Sequence, residues 1–128
     1  MSVSFAYDET YPGPALPVLD LTIAGGDAAR VQTVKGLVDS GADATLVPSA
    51  ILSAAGVRKI DEAWARTVSG ERYSVSVFAA TVIIGVYVLH AVELLANDKT
   101  DETIVGRDVL NQLIVTLDGP ASVVEVSA

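Results

Sequence analysis

Residues 37–43 read Leu-Val-Asp-Ser-Gly-Ala-Asp, an aliphatic pair that runs directly into a carboxylate, a hydroxyl and a glycine. The run that leads up to them, Arg30 to Val38, is rich in β-branched and aliphatic residues, which favour a strand. Asp39 and Gly41 are residue types that favour a sharp turn. The stretch therefore predicts a strand that ends by delivering Asp39 to a loop.

A second stretch, residues 104–110, reads Ile-Val-Gly-Arg-Asp-Val-Leu and is a weak echo of the first. A short aliphatic strand again runs into a glycine, and Asp108 to Leu113 follow at helical spacing. The first loop is also followed by a predicted helix, Ser49 to Ala55, with Ser49 as its N-cap and Gly56 as its stop. The chain thus contains two related loop units.

The other predicted strands are apolar runs bounded by turn residues. They are Pro17–Ile23, Ala44–Pro48, Arg72–Ile84, Val86–Leu95, Ile114–Leu117 and Val123–Val126. A hairpin tip is predicted at Ser69 and Gly70, between Trp64 and Tyr73. The fold class is therefore all-β with one or two short helices, and 128 residues suit a single domain over 1–128.

The composition argues against several classes of function. Sixteen acidic residues against eight Lys and Arg give a net charge of -8, which repels phosphate backbones and anionic lipid surfaces. We therefore expect no nucleic-acid and no membrane partner. Because the chain has no cysteine, disulfides, thiolate zinc sites and cysteine nucleophiles are excluded. The N-terminal residues lack a basic segment followed by an apolar one, so a cytoplasmic location is expected.

One uncharged stretch, Val75 to Leu89, has to be weighed against a membrane span. A spanning helix needs roughly 20 apolar residues, whereas His90 and Glu93 close this run and Gly85 interrupts it. Its β-branched residues favour two buried strands joined at Gly85.

Together, residues 38–43 and 104–110 resemble the two signatures of retropepsin-like aspartic proteases. The first signature is an aliphatic pair followed by Asp-Thr or Asp-Ser and then Gly-Ala; the second is two aliphatic residues, Gly-Arg and a helix. The resemblance covers Pro17 to Leu117 and leaves residues 1–16 as an N-terminal extension. It implies a closed acid-protease β-barrel whose active site forms at the interface of a homodimer.

The resemblance also implies roles for the residues of the first loop. Two copies of Asp39 would form a dyad that activates a water molecule, since two adjacent carboxylates share one proton. Ser40 would hydrogen-bond across the dimer, and Gly41 would let the substrate backbone approach closely. Ala42 and Asp43 would contact substrate.

Further roles fall on the flap and on the second signature. Ser69 and Gly70 would form a flap over a peptide substrate. Gly106 and Arg107 would be structural and dimer residues, with Arg107 in a partly buried, bidentate ion pair with Asp43. No cofactor and no metal is implied, and the expected partners are a second copy of the chain and a peptide or protein substrate.

Simpler interpretations exist for each of these features. Asp-Ser-Gly also occurs as an ordinary turn, and any hairpin tip resembles Ser69-Gly70. Trp64 and Tyr73 suit either a substrate cleft or a core. The sole histidine, His90, has no Cys or His companion, and no Gly-x-Ser-x-Gly elbow supports a serine-protease triad. An alternative function is a dimeric peptide-binding or scaffold domain that keeps the fold without efficient turnover.

Overall fold

The structure, a computed structural model, describes residues 1–128 as ten strands and two short α-helices. The strands are β1 Val3–Ala6, β2 Val18–Ala24, β3 Gln32–Val38, β4 Leu46–Pro48, β5 Arg58–Arg66, β6 Arg72–Ile84, β7 Tyr87–Asn97, β8 Ile104–Val105, β9 Ile114–Asp118 and β10 Val123–Ser127. The helices are α1 Ser49–Ala55 and α2 Arg107–Leu110, and a 3-10 turn spans Ala28–Arg30. The predicted all-β class with two short helices is confirmed.

Seven strands form the main sheet, in the order β2-β3-β8-β4-β7-β6-β5. Strand β2 also pairs with β6, so the strand pairing closes from β6 back onto β2. The alternation that two-faced strands require is clear in β2, where Leu19, Leu21 and Ile23 are fully buried and Asp20 and Thr22 between them are not. These leucines and the isoleucine belong to a core of 17 buried residues.

The chain ends form a smaller sheet, in the order β1-β10-β9. Strand β1 pairs antiparallel with β10, with Val3 opposite Val126. Sequence analysis missed β1, because a four-residue strand at the start of the chain gains its hydrogen bonds only from a segment more than a hundred residues away. The far edge of this sheet is β9, where Ile114 and Leu117 are exposed.

The two helices differ in detail from their predictions. Helix α1 has the predicted bounds, and Gly56 ends it in the left-handed conformation with φ of 68°. The predicted cap is wrong, because Pro48 occupies the N-cap position and the Ser49 hydroxyl donates to Asp98 instead. Helix α2 ends at Leu110 rather than Leu113.

The predicted strands are found with shifts of one or two residues at their ends. The hairpin at Ser69 and Gly70 is confirmed as the connection between β5 and β6, whose pairing runs from Arg58 to Arg66. Its first arm is longer than the sequence suggested, since β5 begins at Arg58, whereas the predicted hairpin began at Trp64. Neither α-helix has the length and hydrophobicity that crossing a membrane would require.

Candidate active site

The two signature loops lie side by side because their strands are neighbours. Strands β3 and β8 run parallel, with Val38 opposite Val105, so the loops that follow the two strands leave the sheet at the same end. The Asp39 N–H donates to the Val105 carbonyl at 3.1 Å, and the Arg107 N–H donates to the Ala42 carbonyl at 2.9 Å. The pairing of distant strands thus assembles one site from the two sequence stretches.

Asp39 sits at the first position of a tight turn. Its Oδ1 accepts the Gly41 N–H at 2.9 Å, and its carbonyl accepts the Ala42 N–H at 3.1 Å. This side-chain hydrogen bond to the backbone two residues on is the reason that Asp suits the position. The other carboxylate oxygen, Oδ2, has no hydrogen-bond partner within the chain, and Ser40 and Gly41 are exposed. The loop therefore presents a carboxylate oxygen that is free to act on a ligand.

Arg107 braces the loop from the second signature. Its Nη1 donates to the Ser40 carbonyl at 2.8 Å, while its Nη2 pairs with Asp43 Oδ1. The guanidinium therefore divides its bonds between a carbonyl and one carboxylate oxygen, and the expected bidentate geometry is absent. The Asp43 side chain is 90% exposed, so the pair is also less buried than expected and contributes little to monomer stability.

A buried hydroxyl forms a second link between the loops, which sequence analysis missed. The Thr45 hydroxyl donates to Asp108 Oδ1 at 2.7 Å and accepts the Gly106 N–H at 3.1 Å. Asp108 Oδ1 also accepts the Val109 N–H at 2.9 Å. Thr45 is fully buried, so this network supplies all the hydrogen bonds that its hydroxyl requires. The only signal in the sequence was a polar residue at each loop, Thr45 two residues beyond the first signature and Asp108 within the second.

Gly106 is required by the closeness of the two loops. A Cβ at this position would lie 2.4 Å from the Ala44 carbonyl oxygen, which no side chain could accommodate without moving the backbone. Its φ of -92° is ordinary, so the requirement is one of space rather than conformation.

The Asp39 loop and the β5–β6 hairpin enclose a cavity of about 480 Å³, which we call the inner cleft. Its walls are mostly apolar and comprise residues 41–44, Leu46, residues 64–66, Tyr73, Val75 and Leu95. Of the predicted substrate residues, Ala42 and Asp43 line this cleft, whereas Ser69 and Gly70 do not. The hairpin tip extends beyond the cleft, and the Ser69 hydroxyl hydrogen-bonds that of Thr67 at 2.9 Å.

The two aromatic residues on the hairpin extend from opposite faces. Tyr73 pairs with Ala65, whereas Trp64 pairs with Ser74. Paired residues share a face of the sheet and successive residues alternate between faces, so the two rings lie on opposite faces. Lys99 lies 4.0 Å from the centre of the Tyr73 ring. Trp64 is 67% exposed, and the Arg72 guanidinium lies 4.9 Å from the centre of its ring. Neither ring belongs to the buried core.

One carboxylate on the hairpin has a strongly perturbed pKa. The Lys59 ammonium, 2.5 Å from Glu62, and the hydroxyls of Ser76 and Ser74, at 2.8 and 2.9 Å, lower the pKa of Glu62 to about 2. All three groups favour the charged carboxylate. Glu62 thus ties the two arms of the hairpin together.

His90 lies exposed on β7 and does not line the inner cleft.

The residues that form this site match a known protein family. A family model described as "gag-polyprotein putative aspartyl protease" matches residues 29–112, which include both signature loops and the hairpin. The chain is similar to a retropepsin-like aspartic protease from Rickettsia conorii, with a TM-score of 0.68 and 13% identity over 100% of this chain and 94% of that one. No curated protein matches the chain.

Two viral structures share the fold. The EIAV protease in complex with the inhibitor HBY-793 has a TM-score of 0.57 and 24% identity, covering 80% of this chain and 91% of that chain. The foamy viral protease-reverse transcriptase in complex with double-stranded DNA has a TM-score of 0.51 and 22% identity, covering 75% of this chain and 15% of that one. At these identities the structures establish the retropepsin-like fold alone.

Proposed function

Because the chain belongs to the family of gag-polyprotein, retropepsin-like aspartyl proteases, we propose that it is an aspartic endopeptidase that acts as a homodimer. The observation that carries the proposal is the Asp39 loop, which holds one carboxylate at a tight turn with Oδ2 unpartnered. Each chain supplies one such loop. Peptide hydrolysis by this chemistry needs two carboxylates, so a second copy has to supply the other.

The two copies of Asp39 share one proton, since two carboxylates this close cannot both ionise. The charged carboxylate takes a proton from water, whose oxygen attacks the scissile carbonyl carbon, while the carboxylic acid donates its proton to the carbonyl oxygen. Collapse of the tetrahedral diol returns one hydroxyl proton to the dyad. The dyad then protonates the leaving nitrogen as the C–N bond breaks, which leaves one shared proton for the next cycle.

The neighbouring residues support this chemistry. The Ser40 hydroxyl hydrogen-bonds across the dimer and sets the spacing of the two carboxylates. Gly41 has no side chain and is exposed, so the substrate backbone can lie against it. Ala42 and Asp43 line the inner cleft and contact the substrate there, and Ser69 and Gly70 close over it when the hairpin bends inward. An extended peptide would hydrogen-bond to the hairpin as an added strand.

Cleavage of a diverse peptide mixture tests the proposal. Purified wild-type protein and Asp39→Asn are incubated with the mixture between about pH 4 and pH 7, the range in which a shared-proton dyad works, and products are identified by mass spectrometry. We expect cuts by the wild type that are absent with Asp39→Asn. Asp101→Asn, which removes an exposed loop carboxylate, is the matched control and should cut like the wild type.

Silence from the wild type at concentrations where sedimentation shows a dimer would contradict the proposal. It would favour the alternative of a peptide-binding or scaffold domain. Equal cutting by wild type and Asp39→Asn would indicate a contaminating protease.

A further inference from the structure

A second depression, which we call the outer groove, lies on the same side of the molecule as the inner cleft. It has a volume of about 560 Å³. Its walls come from β5, β6, β7, α2 and the Asp39 loop, and they include Ala44, Ile60, Asp61, Val77, Glu93 and Leu95. Most of the lining side chains are apolar and several are alanines, which leaves room for the side chains of a ligand.

The floor of the outer groove is the face of the β5–β6–β7 sheet that points away from the core. Val77 pairs with Leu95 and Ala79 with Glu93, so these residues share one face of the sheet. Val77 is buried but does not belong to the 17-residue core, and Ile60 on the groove wall is 43% exposed. This face is therefore a second apolar surface that the chain itself only partly covers.

The rim of the outer groove is acidic. Asp61, Glu93 and Asp108 line it, and no lysine or arginine does. The Glu93 carboxylate has no hydrogen bond or ion pair in the structure, and the Asp61 carboxylate accepts only the N–H of its neighbour Glu62, at 2.8 Å. Arg58 lies opposite Ala79 in the strand pairing and forms no ion pair with Glu93. Two carboxylates are thus available to a positively charged ligand.

The outer groove adjoins the inner cleft. Ala44 and Leu95 line both, so a peptide that leaves the inner cleft past these two residues reaches the outer groove. Ala44 directly follows the loop residues that contact substrate. An extended peptide advances about 3.3 Å per residue, so residues a few positions from the scissile bond would reach this floor.

We propose that the outer groove binds the substrate itself, beyond the residues that flank the scissile bond, and selects a lysine or arginine among small apolar residues there. The basic side chain pairs with Glu93 and Asp61, and the neighbouring apolar side chains cover Ile60 and Leu95. This inference rests on the proposed peptidase function, and it names the substrate class: peptides with a basic residue a few positions from the cut, on either side.

Matched synthetic peptides test the inference. One cleaved sequence is extended on either side by alternating alanine and lysine, and its partner by alternating alanine and glutamine. For the wild type we expect kcat/KM to be higher for the lysine peptide by about two- to fivefold, the effect of one or two exposed ion pairs. The preference should appear for extensions on either side of the cut, because the proposed homodimer has one outer groove on each side, and it should decline with added salt.

The double variant Asp61→Asn/Glu93→Gln removes both charges and keeps the size of the side chains. It should lose the preference for lysine, so that the ratio of kcat/KM between the lysine and glutamine peptides falls to about one. Asp101→Asn/Glu125→Gln removes two exposed carboxylates elsewhere and should retain the preference, because net charge alone is not the cause. Equal rates for both peptides with the wild type, or an equal loss in both double variants, would overturn the inference and leave the peptidase function intact.

A binding measurement separates this inference from the proposed function. Fluorescently labelled lysine and glutamine peptides are titrated with Asp39→Asn and with Asp39→Asn/Asp61→Asn/Glu93→Gln. Tighter binding of the lysine peptide to the first protein only would support the groove even if no variant cleaves. Identical affinities in all four titrations would refute it.

Discussion

At the scale of single residues, the position after Gly41 bears on the pH dependence of the site. Ala42 donates its N–H to the Asp39 carbonyl and offers no hydroxyl to the carboxylate. A hydroxyl that donates to a carboxylate favours its charged form. We therefore expect Ala42→Ser to move the pH optimum of kcat/KM to lower pH, measured with one peptide across the active range.

The control for this change is Ala50→Ser on the exposed face of α1, which should leave the optimum in place. A wild-type rate that peaks near pH 3 would contradict the reasoning, because the favourable effect of a hydroxyl is absent from the wild type.

Thr45 is the residue whose polar group matters most for stability near the site. Thr45→Val would keep the shape but leave the Gly106 N–H, which is buried, without its acceptor and Asp108 without one donor. An unsatisfied buried polar group costs about 1–3 kcal/mol, so we expect the free energy of unfolding in urea to fall by that amount.

Thr45→Ser should retain most of the stability, since it keeps the hydroxyl. Thr116→Val on the exposed strand β9 is the matched control and should change little. If Thr45→Val unfolds at the wild-type urea concentration, the network does not stabilise the fold.

At the scale of elements, the β5–β6 hairpin has a built-in pH dependence. Lys59, Ser76 and Ser74 lower the pKa of Glu62 from 4.5 to about 2. A carboxyl with a lower pKa in the folded chain stabilises the fold in its charged form. Its contribution is therefore complete above about pH 4.5 and is lost as the pH falls toward 2.

Glu62→Gln lacks this contribution at every pH. We expect the melting temperature of the wild type to exceed that of Glu62→Gln near neutral pH, and the difference to shrink as the pH falls through the window between 4.5 and 2. Glu9→Gln, in an exposed N-terminal turn, should show no such trend. A difference that stays constant over this window would show that the hairpin does not depend on the charge of Glu62.

At the scale of the whole molecule, the contacts of Arg107 bear on the dimer. Arg107 holds the Ser40 carbonyl and Asp43, both exposed in the single chain, and Ser40 is the residue expected at the two-fold axis. We expect Arg107→Ala to raise the dissociation constant of the dimer, measured by sedimentation. The melting temperature of the monomer should change little. Exposed ion pairs contribute little within one chain.

Lys35→Ala removes another exposed ion pair, to Asp20 at 3.5 Å, and should leave the dimer unchanged. Under the proposed mechanism only the dimer cleaves peptides, so the specific activity of Arg107→Ala should recover at high protein concentration. An unchanged dimerisation constant would remove Arg107 from the interface.

Apart from β1, the sequence by itself determined the order of strands and helices, because the aliphatic runs and turn residues near Asp39, Gly56 and Gly85 are local signals. It also predicted the two signature loops, since each consists of adjacent residues of distinctive chemistry. The exposure of Asp43 and the opposite faces of Trp64 and Tyr73 were beyond it, because they depend on strand register and on the surroundings of each side chain.

The tertiary structure alone decided which distant residues meet. The pairing of β8 with both β3 and β4 brings the two loops together and places Thr45 beside Asp108, and the pairing of β1 with β10 joins the two ends of the chain. The outer groove likewise exists only because three strands share a face. These contacts join residues far apart in sequence, and their geometry follows from packing and hydrogen bonding across the whole sheet, which no local pattern encodes.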